Sequence, residues 1–429
     1  SYMALTKIEN DALSNTVTAN VASLTIGANV SMNTSTVFVG NSTVNTVITS
    51  SSITVNGTIS MASSFMRNRI INGGMIFSQA AAANTVTPAT TSAILTNYPV
   101  DRWQVLVSAA SKLTAAQSTT TATGFGFSTL ITSSSAYTAA SSDYFTLTQK
   151  IEGYNFADLV FGTASAKTIT LSFWVRSSLT GTFGGSIQNS AQNRSYPFTY
   201  TINAANTFEK KTITIAGDTT GTWIGFTNGI GLWVNFSLGA GSTYSGTASA
   251  WAGADYRSAT GATSVVGTNG ATFYLTGVQV EEGSVATPFE ARNIGLELNY
   301  CQRYFQKSYQ LDEKPGGATT YPVYGPHLGT YNGAIPVFSS YDQTGTYGHR
   351  WDTTVPMKVR MRASPTVLTY NPYTGSSGVI MQAGGGGNGG NISVSGASDS
   401  NQRIYVSSGL SSGYYPDQFL YHFTLNSEL

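Results

Sequence analysis

Apolar residues in this chain recur mainly at every second position, in short runs separated by Gly, Ser and Asn. Alternation of this kind predicts β-strands, and the Gly and Asn clusters between the runs predict tight turns. One stretch has helical spacing instead, because Ile294, Leu298, Cys301 and Phe305 recur three or four residues apart. The pattern therefore predicts an all-β chain with one short helix, residues 293–308, that connects two β regions.

The first 64 residues keep this β rhythm without charge, since no Lys, Arg, Asp or Glu occurs between Ala12 and Met66. The stretches 23–30, 36–43 and 52–59 each show an alternating apolar run followed by a Gly or Asn turn. Strands this short cannot bury a core alone and need stacked neighbours. We predict that residues 1–64 contain an intertwined, fibrous β stem formed as a homotrimer; a flexible Ser/Thr-rich tether is the alternative.

Residues 65–292 contain six longer apolar runs with turn-rich joints, which predict an antiparallel jelly-roll β-sandwich. The runs are DRWQVLVS, DYFTLTQKI, KTITLSFWVR, KKTITIAG, TWIGFTNGIGLWVNF and TFYLTGVQVEE. Trp103, Trp174 and Trp233 lie inside such runs and are predicted to pack in the core. Trp251 lies in a loop-like stretch and is predicted to make an exposed contact. Residues 309–429 are again all-β and are predicted to form a C-terminal β-sandwich tip.

Composition and charge exclude several classes of protein. Charged residues make up 10% of the chain, against an ordinary ~25%, and the net charge is +1. The scattered Lys and Arg residues form no footprint for nucleic acid or for an anionic membrane. Cys301 is the one cysteine, so an intrachain disulfide and a zinc site of several cysteines are excluded, and helical spacing predicts that it is a buried small hydrophobe. We predict no membrane insertion and, from the start SYMALTKIEN, no export by the usual secretory route.

Three motifs resemble a family of bacteriophage tail fibre and tail-associated structural proteins. They are RNRIINGGMIFSQ from residue 67, YPVDRW at 98–103, and GVQVEEGSVATPFEARNIGLELNYCQRYF at 277–305. In that family a jelly-roll module similar to carbohydrate-binding domains begins with N-R-x-I-N-G-x-M and ends in T-P-F-E, running into a C-Q-R-Y helix. The present chain has an extra Ile before its Asn-Gly. The resemblance covers roughly residues 66–306 and implies that MRNRIINGGM is the first strand of a jelly roll.

The resemblance implies a structural protein of the virion tail, made in the cytoplasm of an infected bacterium, that attaches the virion to a host polysaccharide or surface protein. Its N-terminal segment would contact other tail or baseplate proteins, and three chains would give avidity to weak sites. No cofactor is implied. Two other functions stay open: a purely structural baseplate, connector or head-surface fibre protein, and a tailspike-like polysaccharide depolymerase.

The Tyr-rich tip is the predicted receptor site, because flat aromatic rings and scattered polar groups suit sugars. The alternative for each residue is packing between chains or capping of strand ends. The predicted aromatic contacts, with Asp342, Asp352 and Asp417 as polar partners, are Tyr321, Tyr324, Tyr331, Tyr341, Tyr347, Trp351, Tyr370, Tyr373, Tyr414 and Tyr415.

Enzymatic chemistry has little support in the sequence. Glycoside hydrolysis needs two carboxylates ~5–9.5 Å apart, and the pairs Asp312/Glu313, Asp342/Asp352 and Asp399/Asp417 are candidates by spacing alone. There is no G-x-S-x-G nucleophile elbow, and the three histidines do not cluster. We therefore predict no catalytic residue and no metal site, and we interpret the Asn-Gly-Gly at 72–74 as a sharp turn or a close backbone approach.

Overall fold

The chain divides into two compact units, with the division between Ala62 and Ser63. A computed structural model of the protein describes only part of each unit. The described residues are 37–40, 45–48, 53–56, 67–91, 93–317, 335–338, 351–355, 357–382, 388–395, 402–406 and 418–429.

The first unit contains a three-stranded antiparallel sheet. Its strands are β1 (Val37–Gly40), β2 (Asn45–Ile48) and β3 (Ile53–Asn56), and β2 pairs with both others. Strands β1 and β3 fall in two of the predicted stretches, while the stretch 23–30 lies outside the described residues. Because the three strands pair within one chain, they form a β-meander. Association of this sheet with further copies of the chain stays a prediction.

The second unit begins with a β-sandwich. Its elements are, in chain order, α1 (Ile94–Asn97), β4 (Gln104–Val107), β5 (Leu113–Ser118), β6 (Ser128–Ser133), β7 (Tyr144–Glu152), β8 (Ile169–Ser177), β9 (Gly181–Gln188), β10 (Ser195–Ile202), β11 (Glu209–Ile215), β12 (Ile230–Ala240), β13 (Ser245–Gly246), β14 (Ser258–Ala259) and β15 (Thr272–Glu282).

Ten of these strands form two five-stranded antiparallel sheets, in the orders β10-β9-β12-β7-β4 and β11-β8-β15-β6-β5. The alternation seen in the sequence places one apolar face of each sheet inside. In β8, for example, Leu171, Phe173 and Val175 are fully buried, and the Phe173 ring lies 4.9 Å from the ring of Phe236 in the opposite sheet. The prediction of an all-β sandwich is confirmed.

The segment 67–77 does not form the predicted first strand but a buried turn. The side chain of Asn72 holds the turn together: its Nδ2 donates to the carbonyls of Phe77 (2.9 Å) and Asp101 (3.0 Å), and its Oδ1 accepts from the amides of Ile76 (2.8 Å) and Phe77 (3.1 Å). The indole of Trp103 donates to the Asn72 carbonyl. One amide thus satisfies four backbone groups of the turn, while the segment bonds with β15 at two points: the amide of Arg69 donates to the carbonyl of Val280, and the amide of Val278 donates to the carbonyl of Gly73.

Gly73 confirms the expected close backbone approach. A Cβ at this position would lie 2.3 Å from the carbonyl oxygen of Val278 in β15, whereas a Cβ at Gly74 would make ordinary contacts with Ile76, at 3.7 Å, and Phe125, at 3.9 Å. Side chains are therefore excluded at Gly73 by packing and tolerated at Gly74.

Two of the tryptophans differ from prediction. Trp103 is fully buried and Trp233 nearly so, as expected, but Trp174 is only half-buried because it lies on the outer face of β8. Trp251 is also half-buried: it packs edge-on against Trp223, with ring centroids 5.6 Å apart, and its indole donates to the carbonyl of Ala216.

The predicted helix is shorter than 293–308. It spans α2 (Ile294–Gln302), with Asn293 capping its first turn through a bond from the amide of Gly295. Residues of strand β16 (Phe305–Lys307) are extended because they pair with the last strand of the chain. Ile294 is 62% exposed, so it is not part of a buried stripe, whereas Cys301 is buried as expected and burial raises the pKa of its thiol well above the usual range.

The described part of the tip is also made of strands. After β16 they are β17 (Ile335–Phe338), β18 (Trp351–Val355), β19 (Thr366–Tyr370), β20 (Val379–Gln382), β21 (Asn388–Ser395), β22 (Gln402–Val406) and β23 (Gln418–Asn426). The long β23 pairs with β16, β17, β19 and β20. Its side chains Tyr421, Phe423 and Leu425 are buried.

Replacing Gly73 with Ala should destabilise the protein by about 1–3 kcal/mol, because the new methyl group overlaps a strand carbonyl. Gly74→Ala is the matched control and should change the free energy of unfolding by less than about 0.5 kcal/mol. Denaturant unfolding of both variants measures the difference. Equal stabilities would show that β15 does not approach this turn.

His422 should make the tip sensitive to acid. Its ring is fully buried, stacked 3.8 Å from the Tyr309 ring, and burial lowers its pKa from 6.5 to about 4. Between these values the unfolded chain binds a proton that the folded chain does not, so stability is present above pH 6.5 and is lost as the pH falls toward 4. The slope of the unfolding free energy against pH reports the protons taken up on unfolding. His422→Gln should lower this number by up to one between pH 4 and pH 6.5. If the unfolding free energies of the two proteins changed with pH to the same extent, His422 would not be neutral and buried in the folded protein.

Candidate functional site

Most residues of the predicted tip site lie outside the described residues. This applies to Tyr321, Tyr324, Tyr331, Tyr341, Asp342, Tyr347, Tyr414, Tyr415 and Asp417. Trp351 and Asp352 are consecutive in β18, where they pair with Val406 and Tyr405 of β22. As a receptor site the tip stays a prediction.

Tyr370 and Tyr373 are the two predicted tip residues whose side chains are described, and they differ. Tyr373 is 46% exposed in the turn after β19, as a contact residue requires. Tyr370 is 3% exposed, and its ring packs edge-on against Tyr309 at 5.8 Å. Tyr370 ends strand β19 and faces the core of the tip, so its burial leaves little surface for the predicted ligand contact.

A cleft of ≈ 260 Å³ opens in the second unit between the buried turn, the short 3₁₀ turn Gly153–Asn155 and helix α2. We call it the Arg–Tyr cleft. The residues that line it are Asn68, Arg69, Ile71, Glu152, Tyr154, Asn155, Arg292, Tyr300 and Arg303.

The buried floor of the cleft carries a fixed carboxylate. Glu152 is 1% exposed and accepts two bonds from Arg303, Nε at 3.0 Å and Nη2 at 2.6 Å, and one from the Tyr304 hydroxyl at 2.7 Å. The bonds to Glu152 raise the pKa of Arg303, and burial raises that of Tyr304. All three groups are held in one orientation, with Arg303 reaching the cleft.

Two further guanidinium groups form the walls. Arg69 pairs with both oxygens of Asp158, at 3.0 and 2.7 Å, and Nη1 also donates to the Asn155 carbonyl at 3.3 Å. Arg292 donates to the carbonyls of Asn68 and Ile70 and to Glu297. Both side chains are thus fixed by carboxylates that do not line the cavity and by backbone carbonyls.

The mouth of the cleft is aromatic and has free polar groups. Tyr154 is 54% exposed, and its turn is pinned by bonds from the amides of Gly153 and Tyr154 to the carbonyls of Gly229 (2.8 Å) and Thr227 (2.9 Å). In the described part of the chain, the Asn155 amide side chain, the Tyr154 hydroxyl and Nη1 of Arg303 have no partner. A ring placed on Tyr154 could therefore exchange hydrogen bonds with Asn155 and Arg303.

Only glycine fits at the start of this turn. A Cβ on Gly153 would lie 2.6 Å from the Gly225 carbonyl oxygen. The loop 225–229 can therefore approach closely, and this contact orients Tyr154 toward solvent.

A smaller cleft of ≈ 130 Å³ lies on the other side of the same wall, since Asn68 and Arg292 line both. Phe125 and Phe289 line it with their rings edge-on at 5.0 Å, and Glu290 is held by the amide of Asn68 at 2.6 Å. Its volume is half that of the Arg–Tyr cleft, which leaves less room for a sugar ring.

The outer face of the β10-β9-β12-β7-β4 sheet is polar but closed. Thr148 donates to Asn235, Asn235 donates to Gln188 (both 2.8 Å), and Gln188 donates to Asp255 (2.6 Å), which also pairs with Arg257. The three sheet residues are at most 1% exposed. Because the connection from β12 to β15 supplies Asp255 and Arg257 as partners, this face is not open to a ligand.

Comparisons with known proteins give likeness of structure only. No protein-family model matches the sequence, and no curated protein matches it significantly. The enzymatically active domain of bacteriophage CBA120 tailspike protein 4 is similar over 51% of this chain and 22% of its own length, with 13% identity and a TM-score of 0.28.

Two carbohydrate-binding modules are similar over nearly their whole length. The family 11 module of the Clostridium thermocellum cellulase Lic26A-Cel5E matches 46% of this chain and 99% of its own, at 12% identity and a TM-score of 0.25. TmCBM61, solved with β-1,4-galactotriose, matches 51% and 99%, at 10% identity and a TM-score of 0.26. Likeness at this level carries no inference about ligand or activity.

The described residues show no arrangement that indicates another class of function. Among them no three His, Cys, Asp or Glu side chains group as a metal site would require. No helix in the described ranges is long and apolar enough to cross a bilayer. Of the predicted carboxylate pairs, only Asp312 and Glu313 have described side chains, in the turn after β16, and the prediction about catalysis stays untested.

Sequence reasoning missed the Arg–Tyr cleft. Its signal was present in two places: Tyr154 and Asn155 stand in EGYN directly after a strand, where a Gly-containing turn exposes its side chains, and Arg303 stands off the helical stripe. Their meeting with Arg69, more than 80 residues away from Tyr154, could not be inferred from spacing.

Glu152→Gln should destabilise the protein by about 1–3 kcal/mol, because it removes a buried carboxylate with three charge-assisted or hydroxyl donors. The matched variant is Asp158→Asn, which also deprives a cleft arginine of its carboxylate but at a site 38% exposed. It should cost at most about 1 kcal/mol. Thermal or denaturant unfolding measures both. If Asp158→Asn lost more stability than Glu152→Gln, Glu152 would not be the buried carboxylate of the floor and Asp158 would not be the more exposed one.

Proposed function

We propose that the protein is a glycan-binding structural protein of a bacteriophage tail, and that the Arg–Tyr cleft holds a sugar ring. The observation that carries the proposal is the exposed ring of Tyr154 beside the free polar groups of Asn155 and Arg303. Sugars present an apolar face to aromatic rings and hydroxyls to polar side chains. The cleft provides both within one cavity, on elements fixed by the sandwich.

The size of the cleft agrees with such a ligand. Pockets for drug-sized ligands measure ~300–1,000 Å³, and ≈ 260 Å³ lies just below that range. The cavity suits a short piece of a glycan better than a large cofactor. A single shallow site of this kind binds weakly, which is the situation in which several linked copies are useful.

The virion setting rests on the sequence motifs. We propose that the chain is a homotrimeric tail fibre that attaches the virion to a host surface glycan, with its N-terminal segment bound to tail or baseplate proteins. The charge-free repeats of residues 12–64 support a trimeric stem, and the resemblance across residues 66–306 supports a phage tail protein. In this proposal the cleft binds glycan in addition to, or in place of, the tip.

The test is binding of the full chain to an array of bacterial surface polysaccharides of known structure, with Tyr154→Ala and Tyr373→Ala compared. Tyr154→Ala should weaken binding by about 5–10-fold, since an aromatic contact is worth roughly 1–1.5 kcal/mol. Tyr373→Ala removes a similarly exposed Tyr from the tip and should leave cleft binding unchanged.

The outcomes separate the alternatives. Loss of binding only in Tyr373→Ala would place the site in the tip and contradict the cleft. Binding to no polysaccharide would favour a purely structural virion protein, and release of reducing sugar would favour a depolymerase. Light scattering of the same preparations should give the mass of three chains; a monomer would contradict the fibre.

A further inference from the structure

A second aromatic ring lies close to the mouth of the Arg–Tyr cleft without lining it. Phe226 is 64% exposed, more than Tyr154 at 54%. In the described part of the chain, neither ring packs against another aromatic ring. One exposed Phe is ordinary on a protein surface. Two exposed rings on neighbouring turns beside a cavity form the kind of surface that binds a ligand or a partner.

The loop that carries Phe226, residues 225–229, is bonded directly to the turn that carries Tyr154. The amide of Tyr154 donates to the carbonyl of Thr227 at 2.9 Å. Standard bond lengths then allow at most ~11 Å between the Cα atoms of Tyr154 and Phe226. The two rings are therefore within reach of one short oligosaccharide.

The same loop is also linked to the floor of the cleft, through Arg362. Nη1 of Arg362 donates to the carbonyl of Asn228, and Nδ2 of Asn228 donates to the carbonyl of Arg362, both at 2.9 Å. The amide of Arg362 donates to the carbonyl of Arg303 at 2.8 Å, and Arg303 lines the cleft. Because backbone bonds connect the loop to both Tyr154 and Arg303, it borders the cleft and holds Phe226 in a fixed place.

The loop also provides a polar group for a sugar hydroxyl. Asn228 is exposed, and its Oδ1 has no partner among the described residues, since the bond of this side chain is made by Nδ2. Sugars need an apolar surface for the face of the ring and polar groups for their hydroxyls. Phe226 and the amide oxygen of Asn228 supply both outside the cavity.

A protein surface would also cover an exposed Phe, but a stable protein interface needs a wider apolar patch. In the stretch 224–230 Phe226 is the one exposed apolar side chain, because Ile224 and Ile230 are half-buried. The stretch contains no charged residue that would bind a charged partner. The small size of the patch and its continuity with the cleft favour a glycan as the occupant.

We infer that Phe226 forms a second subsite, which holds the neighbouring residue of a glycan whose first ring lies on Tyr154 in the Arg–Tyr cleft. This inference rests on the proposed glycan-binding function and extends the ligand of that site to at least two sugar residues. Each ring makes its own contact, so affinity should rise with the length of a glycan fragment.

The experiment uses the full chain and the member of the polysaccharide array that it binds. Fragments of one to four sugar residues, released from that polysaccharide by partial acid hydrolysis, compete with the immobilised polysaccharide for the protein. Fragments of two or more residues should bind the unmodified protein about 3–10-fold more tightly than single sugars, since the second aromatic contact is added to the first.

Variants test which ring provides this gain. Phe226→Ala should abolish the gain with length and leave the affinity for single sugars within about twofold, whereas Tyr154→Ala should weaken binding of both. Phe226→Tyr keeps a ring and should retain the gain. Val285→Ala is the matched control: Val285 is 74% exposed and lines neither cleft, so all affinities should stay unchanged.

The outcomes distinguish the inference from the proposed function. If Phe226→Ala weakened binding of single sugars and longer fragments equally, or of neither, Phe226 would not form a second subsite. If Phe226→Ala lowered the mass measured by light scattering, its ring would be a contact between chains, which also contradicts the inference. Binding of the unmodified protein to no array member would instead refute the proposed function, on which the second subsite rests.

Discussion

The buried amide of Asn72 is the constraint on which the second unit depends. Its four bonds fold residues 72–77 onto Asp101, and its backbone amide donates to Glu297 of helix α2. Gly73 then lets the turn touch the carbonyl of Val278 in β15. An unsatisfied buried amide or carbonyl costs about 1–3 kcal/mol, so this network is stable only when all its partners are present. Through its side chain and its backbone, Asn72 thereby links the start of the sandwich, Trp103 and helix α2.

The cleft is a consequence of this coupling. Asn68 and Arg69 reach the cavity because the turn behind them is fixed, and Arg292 and Arg303 reach it because α2 is held against that turn. The three sequence motifs, residues 67–79, 98–103 and 277–305, are far apart in the chain but meet here. Asn72 bonds the carbonyl of Asp101 in the YPVDRW motif, and the amide of Asn68 bonds Glu290 of the T-P-F-E segment. Their common physical role is to close the sandwich, and the cavity forms at that closure.

Sequence patterns predicted the parts of the fold that depend on local periodicity. Alternating apolar residues identified the strands of the sandwich, and the helical stripe located α2 and the burial of Cys301. Features decided by distant partners could not be predicted. MRNRIINGGM has the apolar content of a strand, yet its polar groups are satisfied by residues up to 225 positions away. Tyr370 and Tyr373 stand three residues apart in similar context, and only the end of strand β19 separates the buried ring from the exposed one.

The arginines show why residue types alone mislead about ligands. In a chain with 10% charged residues, three arginines in one cleft look like a receptor for acidic groups, and a composition argument would stop there. Their carboxylate partners change that meaning, because each pair balances one positive charge and fixes the guanidinium in one orientation. Arg303 retains a fixed position, both N–H groups of Nη1 and the second N–H of Nη2. The ligand chemistry of the cleft therefore depends on which donors remain after folding and not on the number of arginines that line it.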